Sequence, residues 1–125
     1  MRKNKVLVID DDREFLAEFK ESLDLNGFDV VTLSDPEFFA DAATKHKPDV
    51  ILLDLKMPKK NGFQVAEELR HFSELSKIPV IAMTGFFTES EYSLLMNICG
   101  IKDCVRKPVD PSAIVAKIKE VLESA

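Results

Sequence analysis

The sequence contains no apolar run that approaches the roughly 18 residues needed to cross a membrane. The basic residues at the N-terminus are followed by an apolar run of only strand length, so no secretory signal is visible. Basic residues are also few, because 17 Lys and Arg stand against 22 Asp and Glu, for a net charge of −5. Nucleic-acid binding requires a basic excess that neutralises phosphates. We therefore expect no membrane insertion and no direct contact with nucleic acid.

Cysteine is scarce as well. Cys99 and Cys104 fit neither a CxxC motif nor the spacing of a metal site, so two free thiols in a reducing cytoplasm are the simplest interpretation. The chain has 125 residues, 46% of them hydrophobic, and is long enough to bury a core without disulfides or a structural metal. No repeat, linker or low-complexity segment is visible. We expect one cytoplasmic domain over residues 1–125, with no room for a second.

Short apolar runs alternate with helical patterns along the whole chain. The predicted strands are Lys5–Asp10, Phe28–Leu33, Asp49–Asp54, Val80–Met83 and Asp103–Arg106. The predicted helices are Arg13–Asn26, one that starts at Asp35-Pro36, Gly62–Phe72, Thr88 to about Ile98, and one that starts at Asp110-Pro111. The Asp-Pro pairs supply a cap and a first-turn proline, and a capping box follows Thr88. Five βα units predict an α/β fold with a doubly wound parallel sheet.

Carboxylates follow two of the predicted strands. Asp54 ends the apolar third strand, and Asp10 and Asp11 follow the apolar run Val6–Ile9 of the first. Ligands bind outside the carboxyl ends of the strands in an open parallel sheet, so these three side chains should meet there. Like-charged carboxylates destabilise one another unless a cation joins them, and Mg²⁺ (or Mn²⁺) suits a site of few carboxylates, waters and a phosphate oxygen. Asp12 is interpreted as a cap that complements the dipole of the first helix.

Two further polar residues end strands at the same edge. Lys107 follows the fifth strand, and its ammonium group could pair with Asp54 or with a phosphoryl oxygen. Thr84 follows the fourth strand and could donate a hydrogen bond to such an oxygen. Carboxylates can act as nucleophiles and form aspartyl phosphate. The joint placement on four strands predicts a site at which Asp54 takes a phosphoryl group.

These motifs resemble the receiver domain of response regulators in bacterial two-component signalling, chemotaxis regulators included, over the whole chain. The resemblance rests on Val6–Asp12, Asp54–Pro58 with Gly62, Met83–Gly85 and Lys107-Pro108. It implies a (βα)5 flavodoxin-like three-layer sandwich with strand order 2-1-3-4-5. It also implies a cis peptide bond between Lys107 and Pro108.

The resemblance further implies a role for each site residue. Asp54 would accept a phosphoryl group from a histidine kinase or a phosphotransfer protein, Thr84 would bond a phosphoryl oxygen, and Lys107 would pair with one. The Mg²⁺ ligands would be Asp11, Asp54 and the backbone carbonyl of Lys56, with Asp10 in a supporting role. Such a domain is not an enzyme for other substrates, because it catalyses only its own phosphorylation and dephosphorylation. It would signal to a downstream target or output domain, or through a phosphorylation-dependent dimer, by the face of its fourth helix, fifth strand and fifth helix.

Two positions depart from the receiver pattern. The residue three before the lysine is commonly Tyr or Phe in receivers, and here it is Cys104. Phe86 and Phe87 follow the fourth strand, where they could pack on the fourth helix, shield the phosphoryl group or replace the missing aromatic. We therefore predict that the loop after the fourth strand carries the switch. The partner would still dock on the fourth helix, around Tyr92 and Leu95.

Three alternatives stay open from the residues alone. A haloacid-dehalogenase-type phosphohydrolase also uses a strand-end Asp with Thr and Lys, but it needs a second Asp where Lys56 stands. A flavodoxin-type electron carrier needs a phosphate-binding loop rich in Ser, Thr and Gly after the first strand, where three Asp stand here. The third is a receiver-like interaction module that never takes phosphate, an alternative that Cys104 keeps open.

Overall fold

The computed structural model describes residues 3–85, 88, 90, 93, 97 and 100–124. Five strands form one sheet: β1 (Lys5–Ile9), β2 (Asp29–Leu33), β3 (Val50–Asp54), β4 (Val80–Thr84) and β5 (Asp103–Arg106). All neighbouring strands are parallel, and their order is β2-β1-β3-β4-β5. The predicted flavodoxin-like strand order is therefore confirmed.

Helices pack on this sheet, and their starts follow the capping residues seen in the sequence. The described helices are α1 (Arg13–Leu25), α2 (Phe39–His46), α3 (Gly62–Arg70) and a C-terminal helix (Pro111–Glu123). Asp110 caps the C-terminal helix by accepting from the Ser112 amide at 3.2 Å. Asp35 also acts as a cap, but the first turn after it, Pro36–Phe38, is a 3₁₀ helix, a common form of a helix start. No described helix is long and apolar enough to cross a membrane.

The predicted fourth helix lies largely outside the described residues. Ser90, Ser93 and Asn97 are helical, and the Asn97 side-chain amide donates to the Ser93 hydroxyl at 3.1 Å. This contact has the i, i+4 spacing of one helical turn. The partners of the predicted capping box at Thr88 are not among the described residues. The predictions made for Phe86, Phe87, Tyr92, Leu95 and Cys99 also fall outside them.

The core has two layers, because side chains alternate across the sheet. Leu7 and Ile51 belong to a cluster with buried residues of α2 and α3. Val8 and Leu52 belong to a second cluster with buried residues of α1 and the C-terminal helix. β3 and β4 are buried along their whole lengths, as expected for strands covered on both faces. Helices therefore cover both faces, which confirms the predicted three-layer sandwich.

Element ends differ from the predicted ones by one or two residues. β1 ends at Ile9, so that Asp10 lies beyond the strand rather than in it. α1 is followed by Gly27 with φ of 90°, a left-handed conformation that favours glycine and ends the helix as predicted. α3 ends at Arg70 rather than Phe72. Its predicted start at Gly62 is confirmed, and a capping box between Asn61 and Gln64, which was not predicted, forms there.

Candidate functional site

The carboxyl end of the sheet gathers the residues predicted to carry the chemistry. Asp54 is the last residue of β3, Thr84 is the last residue of β4, and Asp10 directly follows β1. The register of β3 and β4 pairs Asp54 with Met83, the residue before Thr84. Since β1 and β3 are also neighbours, two carboxylates and one hydroxyl group meet at the same edge.

These three side chains are also set apart by their burial. Asp10 and Thr84 are 0% exposed, and Asp54 is 5% exposed. Across the described part of the chain, they are the only polar or charged residues that are buried. Burial of a charged group is unfavourable unless partners compensate it. These buried polar side chains lie together at the carboxyl edge of the sheet. Such an arrangement is typical of functional sites.

Asp10 has a partner for each of its two carboxylate oxygens. Its Oδ1 accepts from the Asp12 amide at 2.9 Å, and its Oδ2 forms an ion pair with the Lys107 ammonium group. Asp12 in turn accepts from the amides of Glu14 and Phe15, both at 3.1 Å. The interpretation of Asp12 as the cap of α1 is thus confirmed, and the cap connects the acidic pair to the start of the helix.

Lys107 reaches the acidic edge from the end of β5. Its Nζ contacts Asp10 most closely and lies 3.7 Å from Asp54 Oδ2. Pairing with Asp54 was predicted, but the closer pairing with Asp10 was not. The Lys107 amide donates to the Thr84 carbonyl at 2.7 Å, and the bond to Pro108 is cis, as the resemblance implied. This backbone hydrogen bond therefore holds the main chain of Lys107 next to the end of β4.

The electrostatic environment of Asp54 favours its neutral form when no other cation is present. Burial, the largest cause, and the negative charges of Asp10 and Asp11 raise the pKa of Asp54 from 3.8 to about 6. The Lys107 ammonium group and a hydrogen bond from the Lys56 amide act in the opposite direction. That bond joins the amide to Asp54 Oδ1 at 3.2 Å. An added positive charge would thus lower the pKa of Asp54 and favour its carboxylate form.

The same carboxylates have the arrangement of a divalent-cation site. Asp10, Asp11 and Asp54 each offer an oxygen atom, and these atoms lie within 4.8 Å of one another. Asp11 is exposed, so the group is open to solvent on one side. Three carboxylates beside the single Lys107 ammonium group leave two negative charges when all are ionised, which one divalent cation would balance. A hard cation with oxygen ligands and retained waters fits such a site. The backbone carbonyl of Lys56 stays a predicted fourth ligand.

Gly62 makes close backbone packing possible beneath the site. A Cβ atom placed on Gly62 would stand 2.5 Å from the Asp54 carbonyl oxygen and 2.7 Å from the Leu55 Cα. The Gly62 amide donates to the Leu55 carbonyl at 3.1 Å. The loop between β3 and α3 therefore closes directly against the end of β3, and only glycine fits this position. In the sequence, Gly62 was visible as a motif residue, but its contact was not.

Cys104 occupies the position where an aromatic residue was expected. It lies opposite Ala82 in the sheet and is partly buried against the core. Burial, followed by the negative charge of Asp103, raises the pKa of its thiol to about 11, and Arg106 acts in the opposite direction. Cys104 is therefore a protonated, unreactive thiol at neutral pH, and its side chain carries no aromatic ring.

A further contact at the site was not predicted from the sequence. Phe15 was assigned to the apolar face of α1, but its ring lies beneath the Lys107 ammonium group at 4.4 Å from Nζ to the ring centroid. The apolar spacing of α1 predicts burial and says nothing about a cation. The only sign in the sequence that Phe15 could reach the site is its position about one helical turn after Asp10 and Asp11.

Comparison with known proteins decides the family. The family model of the response regulator receiver domain matches residues 6–119. The chain belongs to this family. The receiver is similar to the transcriptional regulatory protein CpxR of Klebsiella pneumoniae, with 39% identity over 119 residues. It is also similar to the alkaline phosphatase synthesis transcriptional regulatory protein PhoP of Bacillus subtilis, with 32% identity over 118 residues.

These relatives are longer than the receiver described here. The alignments cover 95% and 94% of this chain but 49% and 48% of CpxR and PhoP, so the chain spans about half the length of these curated relatives. Among solved structures, chemotaxis protein CheY4 of Vibrio cholerae has the same fold, with a TM-score of 0.90, 24% identity and coverage of 96% of this chain and 99% of that chain. A response regulator from Desulfuromonas acetoxidans matches with a TM-score of 0.86 and 29% identity, over 96% of this chain and 97% of that chain.

Proposed function

We propose that this receiver accepts a phosphoryl group on Asp54 from a histidine kinase or a phosphotransfer protein. The observation that carries the proposal is the convergence of the three buried polar side chains, Asp10, Asp54 and Thr84, with the Lys107 ammonium group at one edge of the sheet. Asp54 is the carboxylate at the tip of a fully buried strand. No other buried residue in the described part of the chain is polar or charged.

The proposed reaction is a displacement at phosphorus. A carboxylate oxygen of Asp54 attacks the phosphorus atom, a new O–P bond forms, and the P–N bond of a phosphohistidine breaks with its electron pair leaving on the imidazole. The Thr84 hydroxyl donates to a phosphoryl oxygen, and the Lys107 ammonium group, 3.7 Å from Asp54 Oδ2, pairs with another. In this proposal the receiver catalyses only its own phosphorylation and the later attack of water on the aspartyl phosphate.

We propose that Mg²⁺ or Mn²⁺ supports the transfer. Asp10, Asp11, Asp54 and the Lys56 carbonyl would hold the ion, and the ion would supply charge neutralisation for the acidic edge. Burial and, after it, the neighbouring carboxylates raise the pKa of Asp54 despite the Lys107 ammonium group, and a bound cation would offset both effects. These ligand roles are proposals that rest on oxygen atoms within 4.8 Å of one another in the three Asp side chains.

The test uses acetyl phosphate, a small donor whose P–O bond breaks as acetate leaves. With Mg²⁺ present, intact-mass measurement should find one added phosphoryl group on the wild-type chain and none on Asp54→Asn. Asp24→Asn is the matched control, since Asp24 belongs to an exposed ion pair with Lys20 on α1. Equal labelling of Asp54→Asn would refute the assignment of the nucleophile. An unlabelled wild-type chain would favour an interaction module that takes no phosphate.

The partners of the phosphorylated form belong to the same proposal. CpxR and PhoP are named as transcriptional regulators and are about twice as long as this chain. We propose that phosphorylation changes how the receiver contacts an output domain, a separate target or a second copy of itself. The face formed by the predicted fourth helix, β5 and the C-terminal helix would make that contact. The proposed location is the cytoplasm, where such kinases present their phosphohistidine.

A further inference from the structure

We propose that Phe15 positions the Lys107 ammonium group through the face of its aromatic ring. This inference rests on the proposed function in one respect, because it assumes that Lys107 pairs with the phosphoryl group. The contact between Phe15 and Lys107 can be measured without any phosphoryl transfer. Phe15 is a positioning residue in this proposal, since its ring faces the Lys107 ammonium group, which in turn lies 3.7 Å from Asp54 Oδ2.

The geometry of Lys107 carries the proposal. Its Nζ lies 4.4 Å from the centroid of the Phe15 ring, within the roughly 6 Å over which a ring face attracts a cation. The same Nζ pairs with Asp10 and lies 3.7 Å from Asp54 Oδ2. The side chain of Lys107 is only 24% exposed, so solvent screens this attraction less than it would on an open surface. Two carboxylates and one ring thus enclose the ammonium group.

The ring of Phe15 is itself held from two directions. The Phe15 amide donates to the side chain of Asp12 at 3.1 Å, which fixes the first turn of α1. The ring stacks on Phe19, with centroids 4.9 Å apart and planes inclined by 20°. Phe19 is only 3% exposed, so the stack anchors the Phe15 ring to the core. A ring held in this way can bind the ammonium group without first becoming ordered.

The ring matters because the other two partners of Lys107 change during the proposed reaction. A divalent cation at the acidic edge would compete for the carboxylates of Asp10 and Asp54, and phosphorylation would change the charge on Asp54. The face of Phe15 keeps the same charge distribution throughout. The Phe15 ring can therefore hold the flexible side chain of Lys107 near Asp54 while the ion pairs of Lys107 are exchanged. An aliphatic residue would fill the same volume without attracting the cation.

The first measurement is the NMR ring-current shift of the Lys107 side chain. The methylene protons next to Nζ should resonate upfield in the wild-type chain and in Phe15→Tyr, which keeps the ring face. They should move toward the value of an ordinary lysine in Phe15→Leu and Phe15→Met, two variants that keep apolar bulk without a ring. Identical Lys107 resonances in all four proteins would overturn the proposal. This result would hold whether or not the proteins accept a phosphoryl group.

The second measurement is the initial rate of labelling by acetyl phosphate. Phe15→Leu should lower this rate about two- to fivefold, the range that corresponds to an exposed or partly exposed cation–π contact. Phe15→Tyr should restore it, and Phe38→Leu, a change at a 55% exposed phenylalanine, should leave it unchanged. In a Lys107→Met background, the change at Phe15 should have no further effect.

The two proposals fail in different ways. A wild-type chain that is never labelled would refute the proposed function, while the Lys107 resonances would still decide whether the ring holds the ammonium group. A labelled wild-type chain with the same rate in Phe15→Leu would refute the role of Phe15 alone. If Phe15→Leu lowered the labelling rate equally in the wild-type chain and in the Lys107→Met background, Phe15 would act on packing and not through Lys107.

Discussion

Gly62 packs so closely against Asp54 that no side chain fits between them, since a Cβ atom on Gly62 would stand 2.5 Å from the Asp54 carbonyl oxygen. The obstructing atom belongs to the backbone and cannot turn aside as a side chain could. The start of α3 and the end of β3 are therefore coupled at the predicted phosphoacceptor. A change at Gly62 should affect both the stability of the fold and the position of Asp54.

We predict that Gly62→Ala lowers the free energy of unfolding by about 1–3 kcal/mol, the usual range for overpacking in a close-packed interior. Urea denaturation of both proteins measures this difference. Gly85→Ala is the matched control, because a Cβ atom at Gly85 would meet nothing within 4 Å. Equal losses of stability in the two variants would contradict the steric explanation.

Mg²⁺ should stabilise the metal-free receiver by binding to the folded state. We expect the melting temperature to rise with millimolar Mg²⁺ in the wild-type chain and to respond little in Asp11→Ala. Asp11 is exposed, so this substitution should leave the fold intact while removing a ligand. Scanning calorimetry with EDTA and with Mg²⁺ decides the outcome. If Mg²⁺ did not change the melting temperature of the wild-type chain, the receiver would lack a functional metal site.

The contribution of Asp54 to the stability of the metal-free form should fall as pH rises through the range in which Asp54 titrates. The pKa of Asp54 is raised from 3.8 to about 6 in the folded state. Between these values the folded chain keeps a proton that the unfolded chain has released, so increasing pH favours unfolding. The loss should be on the order of 2–3 kcal/mol by neutral pH, for a shift of about two pKa units.

Asp54→Asn should remove this contribution. Its metal-free stability should exceed that of the wild-type chain at pH 7.5, and the difference should shrink toward pH 4. Urea denaturation in EDTA at several pH values measures both curves. Wild-type and variant curves that run parallel from pH 4 to pH 7.5 would show that Asp54 does not carry the raised pKa.

The switch should centre on the end of β4, because Cys104 supplies no ring that could rotate. We predict that beryllofluoride, a phosphoryl mimic, shifts the amide resonances of Thr84–Thr88 and of the predicted fourth helix most strongly. Phe86→Ala or Phe87→Ala should reduce that response, since a bulky side chain would repack when Thr84 moves. Heteronuclear NMR with and without the mimic measures it. Changes centred on Cys104 that survive both substitutions would identify a route through β5.

Much of the fold was predictable because its signals are local. Apolar runs of strand length, Asp-Pro helix starts and a glycine after α1 are each visible within a few residues. The apolar runs alone placed the five strands to within one residue at each end. The convergence of Asp10, Asp54 and Thr84 also followed from the sequence, since parallel strands share their carboxyl edge. The identities of the ligand donors to Mg²⁺ and the role of Asp54 in phosphoryl transfer stay predictions.

Most of the contacts that the sequence left undetermined join residues that lie far apart in the chain. Asp10 and Lys107 are separated by 97 positions, and their pairing depends on how the side chains share the space left by the backbone. The ring of Phe15 beneath Lys107 and the absence of room at Gly62 depend on the same packing. Local propensity and periodicity carry no information about such distances. The sequence by itself therefore determined which residues meet at the edge of the sheet, and tertiary packing decided which of them touch.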